Sequence, residues 1–260
     1  MIKFWNGNKS PARQAYEYDL LECLFENSGM FELIDNDVTD YPCAEDEGAV
    51  FDKGADILVT VAGNSKFAGK RLIEIKQPLC RGLLGWRLCI VAQKRVDEFC
   101  SLSLRELQQK RVGVPDTWVD AELFRANGFD VLEAGTLDDM LGWVADGTVD
   151  FITLGANEAE DILSRQTVNR SDLVIEPTLA IYYPFPLVFY LNQHQPMLAE
   201  RLCEQWEAKQ TEISSLFDQH YGSVIEQAKL DSRKKLTLQN PLLPAGYEVM
   251  FELSLNNVKK

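Results

Sequence analysis

Residues 103–154 read SLRELQQKRVGVPDTWVDAELFRANGFDVLEAGTLDDMLGWVADGTVDFITL, and this stretch decides the fold class. A serine or threonine followed three residues later by an acid, at 103–106 and at 136–139, forms a capping box that predicts a helix start. Three short apolar runs predict strands: RVGV at 111–114, VLE at 131–133 and VDFITL at 149–154. Strands that alternate with helices of about ten residues predict βαβ units in a mostly parallel sheet.

The alternation continues on both sides of this stretch. The chain begins with a predicted strand, IKFW, and Ser10-Pro11 predicts the start of an amphipathic helix that Ser28-Gly29 ends. The aromatic, proline-containing stretch after Pro177 predicts extended chain that crosses between two regions. The other predicted strands are 55–61, 88–92 and 173–175, and the other predicted helices are 117–127, 157–166, 196–221 and 223–236.

The order of these elements predicts two lobes. A self-contained α/β unit, residues 89–180, lies inside a chain that begins and ends elsewhere. The flanking segments, 1–88 and 181–260, are predicted to form the other lobe together. Two segments then connect the lobes, which predicts a two-stranded hinge beside a cleft. The predicted fold class is α/β, with mixed, mostly parallel sheets in each lobe.

Composition excludes several functional classes. The 260 residues carry a formal net charge of −14, which disfavours nucleic acid as a partner. The sequence contains no run of about 18 apolar residues, so no membrane span is predicted. The six cysteines show no CxxC spacing and only two histidines are present, so no metal site and no cofactor are predicted, and most cysteines are expected to be buried. No nucleotide-binding, hydrolase or metalloprotease motif occurs, which argues against an enzyme.

Three elements are candidates for an anion site. Arg71 offers a planar fork that binds a carboxylate through two hydrogen bonds. Thr117 follows strand RVGV at the start of a predicted helix, and Gly155 and Asn157 repeat that arrangement after strand VDFITL. Against this, a lone surface arginine is usually a solvated charge, and most helix starts are merely capped. Arg81 and Arg87 flank a glycine-rich crossing and are predicted to have a structural role, in which they brace the hinge by pairing with carboxylates.

The order and spacing of these pieces resemble the type II periplasmic solute-binding proteins of amino-acid ABC transporters, as a divergent branch. The resemblance covers nearly the whole chain, although each motif by itself is loose. The matching pieces are Ala55-Asp56-Ile57, KRLIEI at 70–75, Pro78, Ser101-Leu102, KRVGV at 110–114 with Thr117, and GTVDF at 147–151. The resemblance implies two α/β lobes that close around one small ligand.

The resemblance also implies a set of ligand-binding residues. Arg71 falls where the family grips the α-carboxylate of its ligand, and Thr117 falls at the helix start that shares this carboxylate. The other residues implied to line the site are Trp5, Thr60, Ala62, Trp118, Gly155 and Asn157.

Two departures from the family affect the ligand. The aspartate that binds the α-ammonium falls on Gly155 here, and the stretch between Asp56 and Arg71 is about three residues longer than usual. An unpaired ammonium would be costly to bury. Either Glu158 or Asp161 replaces the aspartate, or the ligand is not an ordinary α-amino acid.

Three functions are compatible with this resemblance. The first is a monomeric periplasmic protein that captures a small carboxylate-bearing ligand in the interlobe cleft by hinge closure and delivers it to an ABC permease. The N-terminus MIKFWNGNKSP has no apolar signal region, so this hypothesis expects a signal peptide that has been removed. The second is a ligand-sensing or regulatory module of the same fold without transport. The third is an enzyme on the same scaffold, which the missing catalytic motifs disfavour.

Overall fold

A computed structural model describes residues 1–26, 33–166 and 172–247, and the contacts within it divide the chain into two compact units. The first unit comprises Met1–Arg81 and Pro186–Ser223, and the second comprises Gly82–Phe185 and Val224–Lys260. The strands are β1 Ile2–Trp5, β2 Ile34–Asp37, β3 Ile57–Val61, β4 Leu72–Ile75, β5 Trp86–Ala92, β6 Arg111–Val114, β7 Asp130–Glu133, β8 Phe151–Gly155, β9 Leu173–Ile175, β10 Leu179–Tyr182, β11 Leu187–Asn192 and β12 Lys234–Thr237. The α-helices are α1 Pro11–Phe25, α2 Ala44–Gly48, α3 Leu104–Leu107, α4 Asp120–Ala126, α5 Leu137–Asp146, α6 Ala159–Gln166, α7 Pro196–Ala208 and α8 Gln210–Ala228.

The first unit is built on a five-stranded sheet in the order β2-β1-β3-β11-β4. Strand β1 runs parallel to both β2 and β3, so the carboxyl ends of these three strands meet at one edge. Strand β3 is buried along its whole length, as its continuous apolar sequence predicts. Helix α1 begins where the Ser10 side chain accepts a hydrogen bond from the Arg13 amide, and it buries Tyr16, Leu20 and Leu24.

The second unit is built on a sheet in the order β12-β10-β5-β8-β6-β7, with β9 paired to β5 beyond this path. Strand β6 is parallel to β7 and β8, whereas β5 is antiparallel to β8. Both predicted capping boxes are present, and they start α3 and α5. The first residues of β5 therefore lie at the same edge as the carboxyl ends of β6 and β8.

The fold class predicted from the sequence is confirmed: both units contain mixed sheets with α-helices. Among the described strands, every antiparallel pairing involves β5 or β11, and the remaining pairings are parallel. No helix in the described ranges is long and apolar enough to cross a membrane.

The C-terminal third differs from the predicted elements. The predicted helix 196–221 is two helices, because Lys209 has a φ of −112° and interrupts the helical backbone between α7 and α8. The predicted helix 223–236 is wrong, since α8 ends at Ala228 and the chain then forms β12. Strand β12 pairs in parallel with β10, and Arg233 supports this pairing by donating to the carbonyls of Ala228 (2.7 Å) and Leu179 (3.1 Å).

This pairing also changes the division of the chain. The segment after residue 223 belongs to the second unit, whereas the sequence assigned 181–260 to the first lobe. The breaks fall after Arg81 and Phe185, several residues from the predicted 88 and 180. The predicted end of the first helix at Ser28-Gly29 lies outside the described residues. Only two of the six cysteines, Cys80 and Cys89, are buried, so the expectation that most are buried is wrong.

Candidate functional site

The edge of the first sheet at the ends of β1, β2 and β3 carries an unusual number of buried polar side chains. Asn6 follows β1 directly and is fully buried, and Glu17 on α1 is fully buried as well. Thr60 lies near the end of β3, Asn64 follows that strand, and Glu47 lies in the last turn of α2; these three are also buried. Buried polar groups are stable only when their hydrogen bonds are satisfied, so the partners at this edge determine its role.

Glu17 accepts hydrogen bonds from two cations, and we call Glu17, Lys9, Arg13 and Asn6 the Glu17 network. Lys9 Nζ lies 2.6 Å from one carboxylate oxygen, and Arg13 donates to the other through Nε (3.0 Å) and Nη2 (2.7 Å). Lys9 also donates to Asn6 Oδ1 at 3.2 Å and lies 5.2 Å from the centre of the Phe4 ring. The network is internally satisfied and fixes the chain after β1 against α1.

Burial changes the proton affinity of this network. It lowers the pKa of Lys9 from 10.5 to about 8, even though the Glu17 carboxylate acts in the opposite direction. Lys9 therefore has lost half of its protons in the folded protein near pH 8, while in the unfolded chain it keeps its proton up to about pH 10. Between these values the unfolded state binds more protons, so the Lys9 contribution to folding stability rises with pH.

We expect the free energy of unfolding of the wild type, relative to Lys9→Met, to be flat below about pH 7 and to rise by about 1.5 kcal/mol from pH 8 to 9.5. The measurement is urea denaturation of both proteins across this range. Subtracting the two curves removes the titration of the tyrosines and cysteines that both proteins share. A difference that does not change with pH would show that Lys9 keeps its proton in the folded state.

A second set at the same edge, the Glu47 network, consists of Glu47, Lys66 and Asn8. Lys66 Nζ and Asn8 Nδ2 donate to the same Glu47 oxygen, at 2.7 and 2.9 Å. Asn8 also accepts from the Tyr41 amide at 2.7 Å and donates to the Tyr41 carbonyl at 2.9 Å. This network ties the loops after β1, β2 and β3 to one another.

Three residues predicted to line the site lie at this edge, and each already forms a hydrogen bond within the protein. Trp5 is buried and donates from Nε1 to the Thr39 carbonyl at 2.9 Å. Thr60 accepts from Asn64 Nδ2 at 2.8 Å, and the buried Ala62 bonds through its amide to the Pro186 carbonyl. These contacts show how the side chains are held, and a role in ligand binding stays a prediction for each.

Arg71 is different, because it is exposed and directly precedes β4. Most arginines in the described residues form an ion pair, as Arg81 does with Asp218 at 3.3 Å. Arg71 and Arg105 form no hydrogen bond or ion pair with any residue that the structure describes. The guanidinium of Arg71 is thus available to an external anion, and its role as a ligand-gripping residue stays a prediction.

The edge of the second sheet at the start of β5 and the carboxyl ends of β6 and β8 contains a buried ion pair between Arg87 and Asp120. Arg87 begins β5 opposite Gly155 of β8, and its Nη2 donates to Asp120 Oδ1. The Tyr183 hydroxyl donates to the same oxygen at 2.5 Å. Burial alone would lower the pKa of Arg87, but the Asp120 carboxylate outweighs it and holds that pKa above its ordinary value. The structural role predicted for Arg87, pairing with a carboxylate, matches this geometry.

Asn157 lies beside this ion pair, and we call Arg87, Asp120, Tyr183 and Asn157 the Arg87 cluster. Asn157 is 2% exposed, yet neither Nδ2 nor Oδ1 has a hydrogen-bond partner among the described residues. Arg87 Nε is buried and without a partner as well. The side chains of Asn157 and Arg87 both lie close to Gly155. A Cβ atom placed at Gly155 would be 2.3 Å from Asn157 Oδ1 and 3.4 Å from Arg87 Nη1.

Thr117 does not begin a helix. It has a φ of +70°, in the left-handed region, and belongs to the turn that joins β6 to α4. Helix α4 starts three residues later, at Asp120, without a side-chain cap. Thr117 and its neighbour Trp118 are both half-buried in this turn. The backbone arrangement predicted for anion binding at Thr117 is therefore absent from this turn, while contact of either side chain with a ligand stays a prediction.

Sequence reasoning missed the Glu17 network and the burial of Asp120. An acid in the first turn of a helix, such as Asp120, ordinarily complements the helix dipole at the surface. The Arg13–Glu17 spacing of four was a visible signal of an ion pair on α1, but nothing local indicated that it would be buried. Among the described residues, no group of three histidine, cysteine or acidic side chains is arranged to hold a metal ion.

Comparison with known proteins shows similarity at the level of structure. No family model matches the sequence, and no curated protein matches it. One similar solved structure is a periplasmic His/Glu/Gln/Arg/opine family-binding protein from Silicibacter pomeroyi in complex with lysine (TM-score 0.61, 9% identity, covering 85% of this chain and 97% of that one). Another is an arginine third transport system periplasmic binding protein from Legionella pneumophila (TM-score 0.61, 13% identity, 84% and 98% covered). A third is a histidine kinase sensor domain with similarity to periplasmic binding proteins (TM-score 0.59, 13% identity, 86% and 95% covered).

These likenesses define the fold of this chain. It is the α/β fold of the type II periplasmic binding proteins, as the resemblance in the sequence implied. Similar structures with this fold include amino-acid-binding periplasmic proteins and a sensor domain. The identities of 9–13% agree with a divergent branch.

Proposed function

We propose that this protein is an extracytoplasmic solute-binding protein that captures a small carboxylate-bearing ligand and delivers it to an ABC permease. It acts as a monomer in the periplasm, without a cofactor, and does not change its ligand chemically. The fold supports this proposal, because two similar structures are periplasmic binding proteins and one of them belongs to a transport system. Fold alone does not define function, so the proposal depends on the chemistry of particular residues.

The observation that carries the ligand class is the unpaired guanidinium of Arg71. In a chain with 40 acidic residues and 26 basic ones, an exposed arginine has many acids available to it. Arg71 nevertheless pairs with none in the described residues, while its neighbour Lys70 lies 3.9 Å from Asp52. Arginine binds a carboxylate through two parallel hydrogen bonds, which gives both affinity and orientation.

We expect Arg71→Ala to weaken the binding of a carboxylate ligand by roughly tenfold to a hundredfold, because a charge-assisted hydrogen bond contributes about 1.5–3 kcal/mol. The melting temperature without ligand should stay unchanged, since the side chain is exposed and unpaired. Arg105→Ala is the matched control, because Arg105 is equally exposed and unpaired but belongs to α3 of the second unit. Titration calorimetry of the three proteins with the same ligand provides the comparison.

The ligand for this titration comes from a thermal-shift screen of refolded protein against amino acids, dicarboxylates and other small organic anions. A ligand at about 100 times its Kd raises stability by about 2.7 kcal/mol, which a melting curve resolves. Equal weakening by Arg71→Ala and Arg105→Ala would contradict the assignment of Arg71. If no compound in the panel raises the melting temperature, the result would contradict the solute-binding proposal.

A second candidate function is ligand sensing without transport. The likeness to a histidine kinase sensor domain favours it, at a TM-score of 0.59 against 0.61 for the two periplasmic binding proteins. The two functions differ in what ligand binding achieves in the cell. Loss of labelled-ligand uptake when the gene is deleted supports transport, whereas normal uptake with altered gene expression in response to the ligand supports sensing.

A further inference from the structure

We propose that the outer edge of β2 in the first unit pairs with an extended segment of another protein, in which basic and apolar residues alternate. The segment adds a sixth strand to the five-stranded sheet, beyond β2. The inference goes beyond the proposed function and does not depend on it. Arg71 precedes β4, and β2 and β4 are the opposite edges of this sheet.

The first argument is a row of backbone groups along β2 that form no hydrogen bond. The Ile2 amide donates to the Leu33 carbonyl at 3.0 Å, and the Asn6 amide donates to the Asp37 carbonyl at 2.7 Å. The odd-numbered residues of β2 therefore direct their backbone groups towards β1, and the even-numbered residues direct theirs outwards. The outward groups form no hydrogen bond with any residue that the structure describes. They belong to Ile34, Asn36 and Val38.

The second argument is that this edge is exposed over its whole length. No residue from 33 to 40 is buried. Leu33 and Val38, which flank the strand, are 60% and 51% exposed, although both are large and apolar. Unpaired N–H and C=O groups on an exposed edge are a template for another strand, and apolar side chains beside them favour its addition. The edge thus offers both hydrogen bonds and apolar contacts to an extended segment.

The third argument is charge, which selects the kind of segment. Residues 33–40, LIDNDVTD, contain three acids and no base. Asp35 forms no ion pair with a described residue, and Asp37 has only Lys3 of β1, with Nζ at 3.7 Å. Asp35 and Asp37 lie on one face of the sheet, because side chains alternate along a strand. Opposite charges on directly paired strands contribute about 0.2–1 kcal/mol each, so alternate positions of the added strand should be basic.

The other face of the edge explains the apolar residues of the segment. Ile34 and Asn36 lie on that face, and the exposed Val38 follows them. Charges on an edge strand ordinarily prevent pairing between copies of one protein. That effect applies here to a second β2, since two such strands would bring acids together. It does not apply to a basic segment, which the same acids attract.

The test measures the binding of three labelled heptapeptides, with blocked termini, to the full-length protein by fluorescence anisotropy at low salt. TKVKVKT alternates basic and apolar residues, TEVEVET reverses the charge, and KKTVVTK has the composition of the first without its alternation. We expect TKVKVKT to bind about tenfold or more tightly than either of the others. In an amide NMR spectrum, its addition should shift the backbone signals of the outward-facing residues of β2.

Two variants assign the binding to this edge. Asn36→Pro removes an outward N–H group and keeps the bonds to β1, because proline is tolerated on the open side of an edge strand. It should weaken binding of TKVKVKT about tenfold or more, and its control, Asn36→Ala, should not. Asp35→Lys should weaken binding about tenfold by charge. Its control is Glu22→Lys, the same change of charge at an exposed position of α1.

Several results would overturn the assignment. These are no binding of TKVKVKT up to about 1 mM, equal binding of KKTVVTK, and equal weakening by Asp35→Lys and Glu22→Lys. If Asn36→Pro fails to fold, the pair Asp35→Lys and Glu22→Lys and the amide shifts decide the question. Self-association of the wild type that Asp35→Lys or Asn36→Pro abolishes would make a second copy the occupant and overturn the basic partner. All of these outcomes leave the solute-binding proposal standing, since Arg71→Ala tests it separately.

Discussion

Asp120→Ala is expected to lower the free energy of unfolding by about 3–5 kcal/mol, because it leaves a buried guanidinium without its counter-ion. Arg87 and Asp120 are 2% and 7% exposed at their side chains. The substitution also removes the acceptor of the Tyr183 hydroxyl, which is fully buried. Urea denaturation followed by circular dichroism measures the loss, as a shift of the unfolding transition of the second unit.

The control for this prediction is an exposed ion pair in the same unit. Arg111 and Asp130 are 2.7 Å apart but half-exposed or more, and such pairs contribute at most about 1 kcal/mol. Asp130→Ala should therefore have little effect. Replacing both buried partners, as Arg87→Met with Asp120→Leu, should recover much of the stability, since apolar pairs of similar volume replace buried ion pairs well. If Asp120→Ala and Asp130→Ala cost the same, the Arg87–Asp120 pair does not stabilise the unit.

Glu17→Gln is expected to cost a similar amount, about 3–5 kcal/mol at pH 7, by leaving two cations without their anion inside the first unit. Glu17 is completely buried and accepts from Lys9 and from two nitrogens of Arg13. The substitution keeps the shape of the side chain, so the loss reports charge rather than packing. Thermal and urea denaturation of the variant provide the measurement.

The cost of Glu17→Gln should fall as the pH rises towards 8 and stay constant above it, because Lys9 then has lost its proton in both folded proteins. The pKa of Lys9 is already lowered to about 8 by burial, and the Glu17 carboxylate is the group that opposes this shift most strongly. Without Glu17, Lys9 loses its proton more readily and ceases to be an unpaired charge. Glu22→Ala is the control, since Glu22 is exposed on the same helix and its loss should change stability by no more than about 0.5 kcal/mol. A pH-independent cost equal to that of Glu22→Ala would contradict the role given to the network.

Local patterns predicted the elements that depend on neighbours in sequence. The capping boxes at Ser103 and Thr136 start α3 and α5 as expected, because each requires only a side chain and the amide three residues away. Strand β3 followed from its continuous apolar run, and α1 from its cap and its spacing of apolar residues. These features together were sufficient for the fold class.

Local sequence patterns gave wrong predictions where contacts between distant segments determine the secondary structure. Residues 234–237, KKLT, have no apolar alternation, and they form a strand only because β10 offers an edge for pairing. Lys209 separates two helices although no glycine or proline marks the break. Thr117 adopts a left-handed backbone within a turn, which the residue type does not predict.

In the candidate site, too, some features follow from the local sequence and others depend on contacts between distant segments. The sequence placed Arg71, Gly155 and Asn157 at the edges of strands, because the end of a strand is a local property. It could not show that Asn157 occupies the space above Gly155, or that both lie beside Arg87. That arrangement arises when β5 and β8 pair in antiparallel register and bring residues 68 positions apart in the chain opposite each other. The sequence by itself determined the α/β elements and the resemblance to solute-binding proteins; only the tertiary structure decided which polar atoms are paired, since pairing depends on contacts between distant segments.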